Sequence, residues 1–155
     1  DVRDTGFSIE MRFDGARTSI LEVNGRLGWD EGFGDLFACV TGIQPVLQTL
    51  QIALGQPVVL ERRADVHAAV AYSACYEDRV VTSIPEPDVI ARVERELDVQ
   101  AGTCVWPGDQ MVAPPNPDAT PHLAWVLARH ATSSRAAFVL AQRGLARLPV
   151  VLAPS

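Results

Sequence analysis

The sequence predicts an α+β fold, an antiparallel sheet with flanking helices, on three observations. Two short segments near the start alternate apolar and polar residues on either side of an Asp-Gly pair. Later segments rich in Val, Ala and Leu read as further strands, and the stretches between them carry apolar residues at helical spacing. With 155 residues, 48% of them hydrophobic, the chain can bury one sizeable core, so one compact unit is expected.

The first strand covers residues 7–13, where Phe7, Ile9, Met11 and Phe13 alternate with Ser8, Glu10 and Arg12. The second covers 19–26, with Leu21 and Val23 apolar and Glu22, Asn24 and Arg26 polar. The polar loop 14–18 joins them as a hairpin. A one-residue slip would send one apolar set to the opposite face. The expected register therefore sets Ile9 opposite Val23, Met11 opposite Leu21 and Glu10 opposite Glu22, with Gly15-Ala16-Arg17 as the turn.

Residues 35–40 and 45–54 read as helices, the second carrying Val46, Leu47, Leu50 and Leu54 on one stripe and Gly55 as its stop. Segments 66–76 and 79–84 read as a second hairpin turning at Glu77-Asp78. Val89, Ile90, Val93 and Leu97 predict a helix over 87–97. Strands are expected at 102–106 and 122–129, with Trp125 in the core. The proline-rich stretch 107–121 is a loop, and 133–148 is an amphipathic helix capped by Ser133 or Ser134.

The predicted hairpin puts Glu10, Glu22, Asn24 and Arg26 on one polar face. Two carboxylates facing each other across a ladder repel. A divalent cation between them removes that penalty, and magnesium suits hard oxygen donors while completing its shell with water and nucleotide phosphates. Three oxygen ligands beside a guanidinium thus suggest a magnesium–phosphate site. The plainer reading is the solvated outer face of an ordinary hairpin, and spacing alone does not separate the two.

Glu10 followed twelve residues later by Glu22-Val23-Asn24-Gly25-Arg26 resembles the metal-binding end of the ATP-grasp enzymes. The similarity continues through Val40-Thr41-Gly42-Ile43 and Leu50-Gln51-Ile52-Ala53-Leu54-Gly55-Gln56-Pro57. That segment resembles the Thr-Gly turn and Gly-x-Pro-terminated helix of biotin-carboxylase-like members. His67-Ala68-Ala69 resembles the start of their next strand, and 118–148 more loosely their closing strand and helix. The resemblance implies an ATP-grasp carboxy-terminal lobe over 1–57, followed by a biotin-carboxylase-C-like segment over 58–155 packed on it. It makes Glu10, Glu22 and Asn24 magnesium ligands, with manganese an alternative ion, and Arg26 the group that steadies the transferring phosphate. ATP is then the cofactor.

Departures from the family are informative. Biotin carboxylase follows its arginine with a Gln and then a Glu-His pair that handles bicarbonate, where this chain has Leu27-Gly28-Trp29-Asp30-Glu31. Asp30 keeps an acid and is the candidate for handling the acceptor. Near Tyr72, biotin carboxylase carries an arginine. Both changes argue against biotin carboxylation, and Gly28, Gly32 and Gly34 with Trp29 and Phe33 suggest either an acceptor-side loop for another substrate or a plain glycine-rich connection. Trp29 could stack on that substrate or simply pack.

All thirteen basic residues are arginine, so the lysines that contact the phosphates in ATP-grasp enzymes must lie elsewhere. Together with a start at Asp1, this implies a carboxy-terminal portion whose partner is the missing amino-terminal half. Small carboxylate and amine substrates are the expected ligands, and the later region's dimer contacts in such enzymes imply a homodimer. A net charge of −6 disfavours nucleic acid. Arg62-Arg63, beside Glu61 and Asp65, reads as a surface loop. Cys39, Cys75 and Cys104 are odd in number and unpaired in spacing, as for free thiols in a reducing cytoplasm. His67, His122 and His130 have no zinc spacing, His67 reads as a satisfied half-buried residue, and no segment has the apolar length of a membrane span.

The expected function is therefore a carboxylate–amine ligase of the ATP-grasp type. A biotin-dependent carboxylase component and a non-catalytic assembly module on the same scaffold are the alternatives. For the fragment alone, turnover of ATP is not expected.

Overall fold

A computed structural model describes residues 5–28, 31–58, 66–115 and 121–155. The chain divides into two compact units, Asp1–Ala64 and Asp65–Ser155.

The first unit contains a hairpin of β1 (Ser8–Phe13) and β2 (Thr18–Asn24), then helices α1 (Phe33–Thr41) and α2 (Pro45–Ala53). The register agrees with expectation for Ile9–Val23 and Glu10–Glu22 but shifts after Glu10. Met11 pairs with Ile20, not Leu21, and the turn is the four-residue Asp14-Gly15-Ala16-Arg17, closed by Phe13–Thr18. The extra residue is Leu21, left unpaired as a bulge. Its effect is physical: Ile20 and Val23 are three apart, and a regular strand would send them to opposite faces. The bulge puts both on the face of Ile9 and Met11.

Gly42, at φ 75°, ends α1 by donating to the Ala38 carbonyl oxygen at 2.8 Å. Pro45 opens α2, where a missing N–H is harmless. Beyond it, Gly55 at φ 66° donates to Ile52 O at 3.0 Å and Gln56 to Gln51 O at 2.8 Å, the paired bonds of a Schellman stop. The two helices meet at 91°. Among the described residues, no hydrophobic side chain of this unit is buried. Ile9, Met11, Phe13, Ile20 and Val23 on the hairpin are 40–66% exposed, and Val46, Leu47 and Leu50 on α2 are 50–57% exposed.

The second unit holds two three-stranded antiparallel sheets. One has the order β3 (His67–Ala74), β7 (His122–His130), β5 (Val99–Thr103); the other has β6 (Gln110–Met111), β4 (Arg79–Ser83), β8 (Val151–Pro154). β3 and β4 are thus strands but not the expected hairpin. The ladder of β3 is taken by β7, and that of β4 by β6 and β8. Where β3 ends, the Cys75 N–H turns to the Pro121 carbonyl oxygen at 2.8 Å. β5 starts earlier than expected, at Val99, and stops at Thr103. β6 falls inside the stretch expected to be all loop, and β8 had no counterpart in the sequence reading.

Helices α3 (Pro87–Leu97) and α4 (Ser134–Leu145) cover one face of the first of these sheets. Val93 and Ala141 meet Ala71, Val99, Val126, Ala128 and Leu148 there. α4 presents Ala137, Ala141 and Gly144, all buried, so it sits close to the strands. A Cβ on Gly144 would lie 3.0 Å from Val126 Cγ1. Ser133 caps α4 as expected, its Oγ accepting the Ala136 N–H at 3.2 Å. α3 is tied to β5 through Glu94, whose carboxylate accepts the Ala101 N–H at 3.0 Å, and to the end of α4 by the Glu96–Arg147 ion pair. A second cluster, Cys75, Val81, Val105, Met111 and Leu123, brings β4 and β6 together with residues at the ends of β3, β5 and β7. Burying a side chain as fully as Leu148 contributes about 1.5–3 kcal/mol.

Trp125 is half-buried, not in the core. It packs on Gly102, its register partner. His67 is exposed and has a partner, with Nδ1 3.1 Å from Ser134 Oγ.

Candidate functional site

The hairpin builds the candidate site through its pairing. Ser8 pairs with Asn24 and Glu10 with Glu22, and these alternate with the Ile9–Val23 pair on the opposite face. Four oxygen-bearing side chains therefore form a compact two-by-two array on one face. The two carboxylates are directly opposed and exposed, and Asn24 is half-buried. Among the described residues, neither carboxylate has a hydrogen-bond or ion-pair partner. Opposed anions without a cation are a net cost to the ladder.

Arg26 lies just past the end of β2 and is exposed. Its backbone is tethered back to the array, because the Ser8 hydroxyl donates to the Arg26 carbonyl oxygen at 3.0 Å. Ser8 was legible only as a polar position in an alternating strand, and its tethering role appears with the fold. Asp30, like Trp29, lies outside the described residues, as do Arg62 and Arg63.

The turn that sets the array's register is held by Asp14. Its carboxylate accepts the backbone N–H groups of Ala16 at 2.9 Å and Arg17 at 2.8 Å. These two bonds hold the Asp14 carboxyl below its ordinary value of 3.8.

Leu27 lines two depressions in this unit. One, of about 450 Å³, also includes Arg26, Val46 and Leu50. The other, of about 270 Å³, includes Ser8, Gly28 and the aromatic residues Phe7, Phe33 and Phe37. Gly6 lets the chain entering β1 approach α2 closely: a Cβ there would lie 2.9 Å from Thr49 Oγ1 and 3.1 Å from Leu27 Cδ2.

In the second unit, Tyr72 lies on β3. Its ring stacks on that of His122, centroids 4.2 Å apart and 16° between planes. Cys39 and Cys75 are free thiols. Among the described residues no group of three or more His, Cys, Asp or Glu side chains is arranged to hold a metal, so any cation at the array would depend on Asn24 as well as the two carboxylates. No single helix among the described residues is long and apolar enough to cross a membrane.

This architecture matches part of the fold of three solved ATP-grasp enzymes, the fold expected from the Glu10…Glu-x-Asn-x-Arg pattern. The structure is similar to an L-amino acid ligase from Bacillus licheniformis, with a TM-score of 0.69, 17% identity and 94% of this chain covered. It is also similar to a phosphoribosylglycinamide synthetase from Anaerococcus prevotii (TM-score 0.60, 12% identity, 97% covered). A third similar structure is the biotin carboxylase domain of a single-chain bacterial carboxylase (TM-score 0.57, 17% identity, 94% covered). The matches cover 35%, 37% and 34% of those chains, so this chain spans about a third of their length. No family model matches the chain, and no curated protein matches it significantly.

Proposed function

We propose that this chain is the carboxy-terminal portion of a cytoplasmic ATP-grasp ligase that joins a carboxylate to an amine with magnesium and ATP. The observation that carries the reading is the unpartnered Glu10–Glu22 pair with Asn24 on the same face. Hard oxygen donors of this kind fit magnesium, which takes few ligands from protein.

In this reading Glu10, Glu22 and Asn24 hold the metal. When bound, magnesium neutralises phosphate charge and aligns the nucleotide. Arg26 grips phosphate oxygens through its planar fork, in a bidentate manner that lysine lacks. Ser8 holds the Arg26 backbone in place. The substrate's carboxylate oxygen takes the terminal phosphoryl group and ADP leaves. The amine nitrogen then attacks the acyl carbon and phosphate leaves, giving an amide. Asp30 is the candidate to receive the proton that the amine sheds.

The exposed apolar face of the hairpin and the stripe on α2 would be covered by the amino-terminal half of the enzyme, which would also bring the lysines this chain lacks. The absence of the Gln and Glu-His residues after Arg26, and Tyr72 where a cation is needed, favour this over a biotin-dependent carboxylase.

The test is ADP release by the complete protein with magnesium, using pooled amino acids and small carboxylates, run beside bicarbonate plus biotin. Release that requires the amino-acid pool supports the ligase. Release only with bicarbonate would replace it with the carboxylase, and none in either arm would favour a non-catalytic module.

A further inference from the structure

Residues 121–155 contain four arginines, Arg129, Arg135, Arg143 and Arg147, and no Asp or Glu, in a chain whose net charge is −6. The basic charge gathers on α4. Its Ala137, Ala141 and Gly144 side is buried. The side turned away carries Arg135, Val139 and Arg143, four residues apart in one row. Val139 is 48% exposed. With Leu140 and, toward the start of the helix, His130, this row lines a depression of about 490 Å³. Arg147 is paired with Glu96, and Glu94 is engaged by the Ala101 N–H. Among the described residues, the side chains of Arg135 and Arg143 have neither an ion-pair nor a hydrogen-bond partner.

The spacing defines what fills the depression. Arg135 and Arg143 are about 12 Å apart along the helix axis, with Val139 midway. In an extended peptide the side chains at i, i+2 and i+4 point to one side and cover about 13 Å. Acids at i and i+4 with an apolar residue at i+2 therefore meet Arg135, Val139 and Arg143 in order. Each guanidinium can take its carboxylate through two parallel hydrogen bonds. A nucleic-acid backbone fits less well, because the net charge of −6 repels it and its phosphates leave Val139 uncovered.

We propose that this face of α4 docks an extended acidic protein segment of the pattern acid-x-apolar-x-acid, a role independent of the ligase reading. The two arginines set the register of the segment, and its apolar residue covers Val139 and Leu140. Charge pairs at an exposed helix face are screened by salt, so the docking is reversible and weakens as ionic strength rises.

The test is valine methyl NMR on the complete protein at low salt, titrated with the end-capped peptide Glu-Ser-Leu-Ser-Glu. Saturable shifts of the Val139 methyls are expected, with much smaller shifts from Glu-Glu-Leu-Ser-Ser, which has the same composition in the wrong spacing. Reversing both charges, Arg135→Glu with Arg143→Glu, should lose the response to the acidic peptide and gain one to Lys-Ser-Leu-Ser-Lys. That gain separates lost docking from lost folding. If circular dichroism shows the double variant unfolded, Arg143→Gln alone should weaken the response. Absence of Val139 shifts, equal shifts from both acidic peptides, or unchanged binding in the variants would overturn the proposal. So would equal shifts from inorganic phosphate or from a single-stranded RNA oligonucleotide, which would make the face a general anion surface.

Discussion

Trp125 of β7 stands directly opposite Gly102 of β5, and a Cβ on Gly102 would lie 2.8 Å from the indole Nε1 and 3.0 Å from Cε2. The glycine is where the Trp125 ring rests on the sheet. In the other direction Trp125 pairs with Tyr72 of β3, so one transverse row runs Tyr72–Trp125–Gly102. Gly102→Ala must displace the ring or the strand, and overpacking of this kind costs about 1–3 kcal/mol. Urea unfolding followed by tryptophan fluorescence should show the midpoint fall with the slope unchanged. A variant as stable as the wild type would mean that the indole moves freely off the sheet.

Glu22→Gln keeps the size and pairing of the strand but removes one of the two opposed charges. In the complete protein it should abolish ADP formation while circular dichroism stays the same. Unchanged turnover in this variant would sink the metal assignment.

Arg26→Lys retains the charge and loses the fork. If Arg26 grips phosphate oxygens in a bidentate manner, kcat should fall by about tenfold or more, since a charge-assisted hydrogen bond contributes about 1.5–3 kcal/mol. Single-turnover ADP release separates this from slower product loss. A kcat equal to wild type would remove Arg26 from the reaction.

Asp14 gives the hairpin a defined acid limit. Its folded-state pKa is lowered by the Ala16 and Arg17 N–H bonds. The stabilisation is therefore complete above the unfolded value and is lost as pH falls through the lowered folded value. Amide shifts of Ala16 and Arg17 should titrate together with a midpoint below 3.8, and Asp14→Asn should remove that titration. A midpoint at or above the ordinary value would show that the two bonds do not persist in solution.

Ser133→Ala deletes the side-chain cap of α4, leaving the Ala136 N–H without the acceptor it has at 3.2 Å. The expected loss is about 0.5–2 kcal/mol, read as a lower urea midpoint. Ser134→Ala should not reproduce it, because the Ser134 hydroxyl meets His67 instead.

What the sequence by itself determined follows from short-range rules. Alternation in 7–13 and 19–26 was enough to set Glu10 against Glu22, a pair that lies on the side of the Leu21 bulge away from the turn. Helix α3 was legible to its ends because Pro87 can open a helix and Val89, Ile90, Val93 and Leu97 share one stripe. Ser133 was legible as a cap because it precedes such a stripe.

The tertiary structure alone decided how the strands find partners. β3 and β4 are close in sequence and separated by a turn signal, yet β3 pairs along its whole length with β7, and β4 is paired on both edges, by β6 and β8. β6 and β8 are too short to carry a period and exist because β4 offers them its two edges. The bulge at Leu21 was equally invisible, since its cause is the need to put Ile20 and Val23 on one face, which is a property of the paired sheet. Trp125 read as core because apolar residues surround it in sequence. Its half-exposed place on Gly102 depends on a strand some twenty residues away, and local pattern holds no information about contacts of that range.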